Sequence, residues 1–364
     1  MKIVVATSTA FHLRYLAVQL LDRGHDMTFI SYLPRFKTVS YGLPASATRS
    51  LFMRLQPGAS LALLRGGGQR LHAIREHMLL ATDRAIARSV PPCDVFIGLS
   101  AVTVASAEAA RKRHGATVII ERGSAHVEAQ QRLLGGRLSR FYMDRELASY
   151  AVADRIVVPS AFAYQSFLAE GVSADRLATI PLGVDVDRFH PAADAPTLPV
   201  KMLFVGAWSR QKGADLLVEA VAAIPGVHLT HVGKRVDVPF PDDSRFTSLG
   251  YLDHAALSRE MTNHHLLVLP SRQDGFGMVM TEALAAGLRV VASDATGGPD
   301  LATLLPRHVT VCPAGSASAL TSALRHAITA IESDPVHFRP QAGEIDQLSW
   351  HRYGDRYAAF LQSL

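Results

Sequence analysis

The sequence lacks the features on which disulfide-rich, metal-binding and membrane-spanning proteins depend. Its 364 residues include two cysteines, Cys93 and Cys312, too far apart to suggest a disulfide framework or a metal-ligand spacing. No apolar run approaches the ~18–20 residues that span a bilayer. The 16 histidines show no metal-ligand spacing such as His-Glu-x-x-His. We therefore predict a cytoplasmic protein without a metal site or a membrane-spanning helix.

Charged residues are also few, at 19%, whereas hydrophobic residues make up 48% of the chain. This composition is typical of a well-packed globular protein. A chain of 364 residues is too long for one ordinary core and favours two domains of about 150–200 residues each. The apolar stretch at residues 1–6 is too short for a signal peptide, and we predict that it forms the first strand.

Short apolar runs alternate with helical stripes along the chain, a pattern that favours parallel sheets covered on both faces. The predicted strands are 3–6, 27–31, 95–98, 118–121 and 155–159 in the first half, and 202–206, 227–232, 266–269 and 290–292 in the second. The proline-rich segment 190–199 separates the two series and is the predicted linker. The pattern predicts an α/β protein with two Rossmann-like domains.

The segment 271–291 is the most informative part of the chain. It follows the predicted strand 266–269, and Gly275 and Gly277 form a loop before a predicted helix at 278–286. A glycine loop that opens a helix presents free backbone N–H groups and a positive dipole end to an anion. Asp274 and Glu282 flank this anion site, and two carboxylates around a phosphate suit the hydroxyl-rich groups of a nucleotide sugar.

This segment resembles the signature of the group 1 family of retaining glycosyltransferases, which have the glycosyltransferase B fold. The family pattern is Glu, Gly-Phe-Gly, variable residues, then Glu-Ala and Ala-x-Gly. Asp274 takes the place of the first Glu, while residues 275–277, 282–283 and 285–287 match. Arg289 stands where the family usually has Pro. The resemblance implies two Rossmann-like domains that face each other across a cleft.

The resemblance covers most of the chain. Residues 180–191, 204–213 and 297–300 are similar to the family's inter-domain turn, donor-phosphate loop and Gly-Gly turn. In relatives the terminal helix crosses back onto the first domain. We therefore predict an acceptor-binding domain at 1–188, a nucleotide-sugar-binding domain at 189–349 and a crossing helix at 350–364.

The resemblance also implies how a donor is held. Lys212 and Arg210 are the predicted diphosphate ligands, with Arg210 replacing the Arg that the family often has where Ala207 stands. Glu282 is expected to fix the ribose, since a carboxylate accepts two hydroxyl protons. The predicted donor-binding loop and helix start consist of Gly275, Phe276, Gly277, Met278 and Val279. The alternatives are an exposed surface charge for Glu282 and a solvated helix start for Lys212.

Three residues are predicted to be catalytic: His126, Asp274 and Lys212. His126 follows the strand 118–121, at the edge of a parallel sheet where ligands normally bind. In the family a His at the matching place contacts the donor sugar near the reacting carbon. A structural role for His126, and a turn-capping role for Asp274, are the alternatives.

The net charge of +5 is concentrated between Arg35 and Arg88. On a predicted helix at 70–89, Arg70, Arg84 and Arg88 align beside an apolar face. Such a helix fits either an anionic membrane surface or a solvated helix that packs on its own domain. Nucleic-acid binding is not expected, because aromatic residues are not interleaved with the basic residues of this helix.

The resemblance implies transfer of a hexose, with retention, from a nucleoside diphosphate sugar to a hydroxyl acceptor such as a glycolipid or polysaccharide intermediate. No metal and no other cofactor is expected. One alternative is a catalytically silent subunit of a polysaccharide assembly system, because the first turn, 7–11, lacks the family's glycines. A small soluble acceptor, an epimerase and a phosphorylase also stay open, although a phosphorylase would need a cofactor lysine motif.

Overall fold

Seven parallel strands form the sheet of the first domain in a computed structural model that describes residues 1–9, 11–53, 55, 69–335 and 337–364. The strands are β1 (Lys2–Thr7), β2 (Asp26–Ser31), β3 (Thr48–Ser50), β4 (Val95–Leu99), β5 (Thr117–Glu121), β6 (Arg155–Val158) and β7 (Leu177–Thr179). The helices are α1 (Leu13–Asp22), α2 (Arg35–Ser40), α3 (Gln69–Ser89), α4 (Val104–His114), α5 (Val127–Leu133), α6 (Arg140–Val152) and α7 (Ala161–Ala169). The order in the sheet is β3-β2-β1-β4-β5-β6-β7.

A second sheet of six parallel strands follows, in the order β10-β9-β8-β11-β12-β13. Its strands are β8 (Lys201–Val205), β9 (His228–Val232), β10 (Phe246–Ser248), β11 (Leu266–Leu269), β12 (Arg289–Ser293) and β13 (Val309–Cys312). The helices are α8 (Ala214–Ala222), α9 (His254–Met261), α10 (Met278–Ala285), α11 (Gly298–Leu304), α12 (Ala317–Ser333), α13 (Ala342–Asp346) and α14 (Trp350–Gln362).

Both sheets are buried on two faces, which explains their continuous apolar runs. In β1, Ile3 and Val5 pack in one hydrophobic cluster and Val4 and Ala6 in another, because successive side chains point to opposite faces. The strand order reverses between β1 and β4 and between β8 and β11. Ligands of such sheets bind beyond the carboxyl ends of the strands at these reversals.

The predicted strands and the two-sheet architecture are confirmed, and four short strands were missed. These are β3, β7, β10 and β13, each three or four residues long and each at the outer edge of its sheet. An edge strand pairs on one side only and needs a less apolar sequence, so its signal is weak.

The terminal helix α14 packs on α1 of the first domain. Trp350 stacks on Tyr15 with ring centroids 4.1 Å apart, and Arg23 pairs with Asp355 at 2.6 Å. Tyr357 is fully buried. The end of the chain is therefore fixed against the domain in which the chain begins.

The helix α3 matches the predicted basic helix, but its fully buried residues are not those of the predicted apolar face. That face was predicted to consist of Leu71, Ile74, Met78, Ala81 and Ala85, and its described members are half-buried. Thr82, Asp83 and Ile86 are buried, and Asp83 pairs with Arg145 at 2.7 Å. Arg84 and Arg88 are exposed. Arg54 and Arg65, and the side chains of Arg70 and Leu71, lie outside the described part. None of the described helices is both long and apolar enough to cross a bilayer.

Candidate active site

Among the described residues, two adjoining cavities lie in the cleft between the sheets. The first cavity, about 420 Å³, is lined by His12, Arg122 and Glu146 of the first domain and by Asp274 and Gly277 of the second. The second cavity, about 320 Å³, lies beside it. Its lining residues include Phe11, His12, Tyr15, Met278, Glu282 and Trp350. Phe11, His12 and Met278 line both cavities, so the two spaces share a wall.

The two domains touch at the glycine loop. A Cβ on Gly275 would lie 2.0 Å from the carbonyl oxygen of Gly123, so no larger residue fits there. The Ser160 hydroxyl donates to the Gly275 carbonyl at 2.6 Å, and Gln273 Nε2 donates to Ser124 Oγ at 2.9 Å. The two domains are therefore in direct contact around this loop.

The loop then turns into α10. Gly277 has φ +82° and precedes the helix, a backbone conformation that favours glycine. Phe276 is buried, Met278 borders both cavities and Val279 is half-buried. The first N–H groups of a helix have no intrahelical partner, so this turn presents donors to a ligand in the cleft.

The structure brings Lys212 and Asp274 together. Lys212 precedes Gly213 at the start of α8, and its Nζ donates to Asp274 Oδ2 at 2.5 Å. Both side chains are about one-fifth exposed, at 23% and 21%. Asp274 lines the first cavity. A lysine held beside the glycine loop can be shared with an anion, as the sequence motif predicts.

Glu282 lies on α10 with its side chain at the second cavity. Burial raises the pKa of this carboxyl to about 7, and the nearby Arg188 opposes the shift. No group in the described part of the chain forms a hydrogen bond to it. A half-buried carboxylate without a partner costs free energy, and a ligand that donates hydrogen bonds would recover it. Glu282 is thus not an exposed surface charge.

The Arg210 side chain lines neither of the two cleft cavities. Its side chain is 72% exposed and approaches Asp215 at 3.8 Å, while Arg272 holds Asp215 with two hydrogen bonds of 2.6 and 2.8 Å. Arg210 lines a separate cavity with Arg137. The structure therefore does not bring Arg210 to the two cleft cavities.

His126 lies within the first domain and lines neither cleft cavity. Its ring packs against Tyr150 and Phe167, with both centroid distances 4.9 Å, and its Nδ1 accepts from the Glu128 N–H at 3.3 Å. Burial lowers the pKa of His126 to about 4. The ring is therefore neutral at physiological pH and caps α5.

His126 also belongs to a trio of side chains that, among the described residues, are close enough together to hold a metal ion. The ligand atoms of His126, Glu128 and Glu170 lie within 4.8 Å of one another. Arg132 pairs with Glu170 at this place. None of the trio lines either cavity.

Sequence reasoning missed two paired sites on the first-domain wall. His12 Nε2 lies 3.0 Å from Glu121 Oε2, and Arg122 donates to Glu146 at 2.7 Å. The signal was available in part, because Glu121 and Arg122 directly follow the apolar strand residues 118–120. Charged residues in that position would be costly to bury without partners. Their partners are far away in sequence, and no local pattern identifies them.

The matches to two families together cover most of the chain. Residues 9–188 match the family described as Glycosyltransferase Family 4, and residues 199–330 match the one described as Glycosyl transferases group 1. The two matches fall on the two sheets of the structure. They meet near the predicted linker 190–199.

Curated relatives match only part of the chain. A sulfoquinovosyl transferase of Arabidopsis thaliana is 28% identical over 170 residues, 42% of this chain and 33% of that protein. A glycogen synthase of Mycobacterium tuberculosis is 30% identical over 177 residues, 42% and 41% of the two chains. A GDP-mannose-dependent alpha-mannosyltransferase of the same species is 31% identical over 164 residues, 42% and 43%. The chain thus spans less than half the length of each relative.

Solved structures match over the whole chain. Sucrose-phosphate synthase from Thermosynechococcus elongatus aligns with 100% of this chain and 98% of its own, with TM-score 0.67 and 19% identity. The Anabaena HepE protein in complex with UDP and glucose aligns with 100% of both chains, with TM-score 0.64 and 17% identity. At these identities the likeness concerns the fold alone. The predicted fold class, two Rossmann-like domains across a cleft, is confirmed.

Proposed function

The chain belongs to the glycosyltransferases, with a Glycosyltransferase Family 4 domain and a group 1 domain, and from this premise we propose its reaction. It transfers a hexose from a nucleoside diphosphate sugar to a hydroxyl acceptor, with retention of anomeric configuration and without a metal ion. The acceptor is a glycolipid or polysaccharide intermediate at the inner face of the membrane.

The unpartnered carboxylate of Glu282 carries this proposal. It stands at the second cavity, on the helix that follows the glycine loop, and burial holds its pKa near 7. Ribose has two adjacent hydroxyls, and both can donate to the two oxygens of one carboxylate. A bound nucleoside would therefore supply the hydrogen bonds that this group lacks.

The diphosphate is assigned to the place where Lys212, Asp274 and the start of α10 converge. The Lys212 ammonium, 2.5 Å from Asp274, and the free N–H groups after Gly277 supply positive potential. Negative charge grows on the diphosphate as the sugar leaves, and fixed donors stabilise that charge without reorganisation. Asp274, which lines the first cavity, then faces the hexose.

The acceptor is assigned to the first cavity and the membrane to the first domain. The first cavity is lined mainly by apolar groups, and Phe11, 63% exposed, stands at its wall. Exposed Phe36 and Met53, and the exposed arginines of α3, occur in the same domain. Apolar and basic groups on one domain suit an acceptor carried by an anionic membrane.

Calorimetric titration and slow hydrolysis with UDP-glucose, GDP-mannose and ADP-glucose test the proposal. We expect one donor to bind and to be hydrolysed to its nucleoside diphosphate. Donor binding without hydrolysis or transfer would favour the catalytically silent subunit. Binding of none would contradict the proposal.

Lys212→Ala sharpens this test. We expect it to weaken binding of the nucleoside diphosphate but not of the free nucleoside, which has no phosphate to lose. Lys112→Ala, at an exposed lysine that pairs with Glu108, is the matched control. Equal losses for nucleoside and nucleoside diphosphate would show that Lys212 acts through structure.

A further inference from the structure

The turn at residues 297–300 packs against the glycine loop. Gly297 donates its N–H to the Phe276 carbonyl at 2.8 Å, and a Cβ on Gly297 would lie 2.4 Å from the Phe276 ring. The Asp274 N–H likewise donates to the Ala295 carbonyl at 3.0 Å. The glycine loop and the start of α11 are therefore packed together as one unit of the second domain.

This unit contacts the first domain at the start of α7. The Ser160 hydroxyl donates to the Gly275 carbonyl at 2.6 Å. The next residue, Ala161, donates its N–H to both carboxylate oxygens of Asp300, at 3.0 and 3.1 Å. Ser160 is fully buried, and its oxygen also accepts the Ala163 N–H at 3.1 Å. We call the bonds from Ser160 and Ala161 to Gly275 and Asp300 the α7 contact.

The chemistry of a helix start explains both bonds. Ala161 is the first residue of α7, so its N–H has no partner within the helix, and the positive end of the helix dipole favours a carboxylate. Asp300 supplies that carboxylate from the other domain. Ser160 is the N-cap residue, and its oxygen accepts from α7 while its proton is free to bind Gly275. Neither bond to the second domain can form when the two domains separate.

We propose that Ser160 and Asp300 are positioning residues for the donor, which hold the glycine loop in place when the two domains are in contact. The inference rests on the proposed function, which assigns the diphosphate to this loop and to the start of α10. Neither residue lines a cleft cavity. A ligand that binds one arrangement of the domains gains affinity from contacts made only in that arrangement. The α7 contact therefore strengthens donor binding from outside the donor site.

Other bonds between the domains limit the expected loss. Gln273 Nε2 donates to Ser124 Oγ at 2.9 Å, and this bond involves neither positioning residue. A substitution in the α7 contact should therefore reduce donor affinity without abolishing it. The Ala161 N–H is in an exposed position where water competes for it, so we expect the Asp300 bond to contribute less than the buried Ser160 bond.

The first test compares Ser160→Ala and Asp300→Ala with two controls of the same kind. Ser139 and Asp253 are the N-cap residues of α6 and α9, and each side chain accepts an N–H of its own helix. Among the described residues, neither side chain bonds to the other domain. Ser139→Ala and Asp253→Ala are therefore the matched controls. Calorimetric titration gives the donor Kd with whichever of UDP-glucose, GDP-mannose and ADP-glucose the wild type binds, and denaturant unfolding gives the stability.

We expect Ser160→Ala and Asp300→Ala each to raise the donor Kd by about 2–10-fold, the range of one net hydrogen bond. The controls should lower the free energy of unfolding, because they remove a helix cap, and should leave the donor Kd unchanged. This difference separates positioning from a merely structural role, since Ser160→Ala also removes a cap. A wild-type donor Kd in both folded variants would overturn this inference and leave the proposed function standing.

A second measurement requires no substitution. Amide hydrogen exchange at Ala161 reports whether its N–H is bonded to Asp300, which is its partner in the α7 contact. We expect this exchange to slow when donor is added to the wild type. The Ala256 N–H, which Asp253 of its own domain caps, is the control and should not respond. Exchange at Ala161 that bound donor does not slow would overturn the inference. A protein that binds no donor would instead contradict the proposed function.

Discussion

The charged side chains on the two walls of the cleft differ in their burial and in their pairing. On the first-domain wall, Arg122 and Glu146 form a buried pair with side chains 5% and 1% exposed, and His12 is paired with Glu121. On the second-domain wall, Glu282 has no partner among the described residues. The Lys212–Asp274 pair there remains partly open to solvent.

The paired groups of the first-domain wall are fixed in position by each other, whereas Glu282 on the second-domain wall can still form hydrogen bonds to a ligand. A buried charge needs a partner, and on the first-domain wall Arg122 provides one for Glu146 Oε1, whereas Glu146 Oε2 has no hydrogen-bond partner among the described residues. On the second-domain wall the cost of an unpartnered carboxylate appears as the raised pKa of Glu282. We therefore expect substitutions on the first wall to change stability or turnover, and those on the second to change donor affinity.

The largest expected effect comes from breaking the buried pair. Arg122→Met should lower the free energy of unfolding by about 3–5 kcal/mol, because it leaves Glu146 charged and buried without its partner. Denaturant unfolding measures the loss. Arg111→Met, at a half-exposed pair with Asp154, is the control and should cost about 1 kcal/mol or less. Equal losses for the two variants would contradict the comparison.

A moderate effect is expected at Glu282. Glu282→Gln should weaken donor binding by about 1–3 kcal/mol, because the amide accepts fewer hydrogen bonds than the carboxylate. The free energy of unfolding should not fall, since the substitution removes an unpartnered charge. Calorimetric titration with donor measures the affinities of Glu282→Gln and of the exposed control Glu332→Gln. Unchanged affinity would remove Glu282 from the donor site.

The raised pKa of Glu282 predicts that stability and donor affinity depend on pH. The pKa of Glu282 in the folded protein is about 7, above the value of 4.5 for a free glutamic acid. The folded state therefore holds this proton more tightly, and its contribution to stability is present below pH 4.5 and is lost as pH rises from 4.5 to about 7. Between pH 4.5 and about 7, the free energy of unfolding of the wild type should fall relative to that of Glu282→Gln. The donor affinity of the wild type should rise over the same range as the carboxylate ionises. A pH-independent difference between the two proteins would contradict the assignment.

The smallest expected effect concerns the surface of the first domain. Replacing Arg84 and Arg88 with Gln should weaken binding to anionic vesicles by about 1 kcal/mol for each charge, and less at high salt. Donor hydrolysis should be unchanged. The exposed arginines Arg259 and Arg307 of the second domain give a control with the same net charge. A wild type that ignores anionic vesicles at low salt would favour a soluble acceptor.

Much of the fold was predictable from the sequence, whereas the functional roles of the site residues stay predictions. The strand 266–269 and the helix that begins at Met278 match the structure because their signals are local. The resemblance implied that Lys212 and Asp274 belong to one site, and the structure shows the contact between these residues, which are 62 apart in the sequence. Arg210 and His126 were assigned to the site on the same ground, and their assignment stays a prediction. The structure places Arg210 at a separate cavity and His126 in an aromatic cluster.

The sequence by itself determined the two sheets, the glycine loop and the carboxylate on the helix after it, because hydrophobic periodicity and turn chemistry act over a few residues. Only the tertiary structure decided which charged groups are partnered. Glu121 meets His12 and Tyr357 across 109 and 236 residues. Pairing of that kind depends on how strands and helices pack in space, because burial makes an absent partner costly but the chain gives no local sign of which residue will supply it.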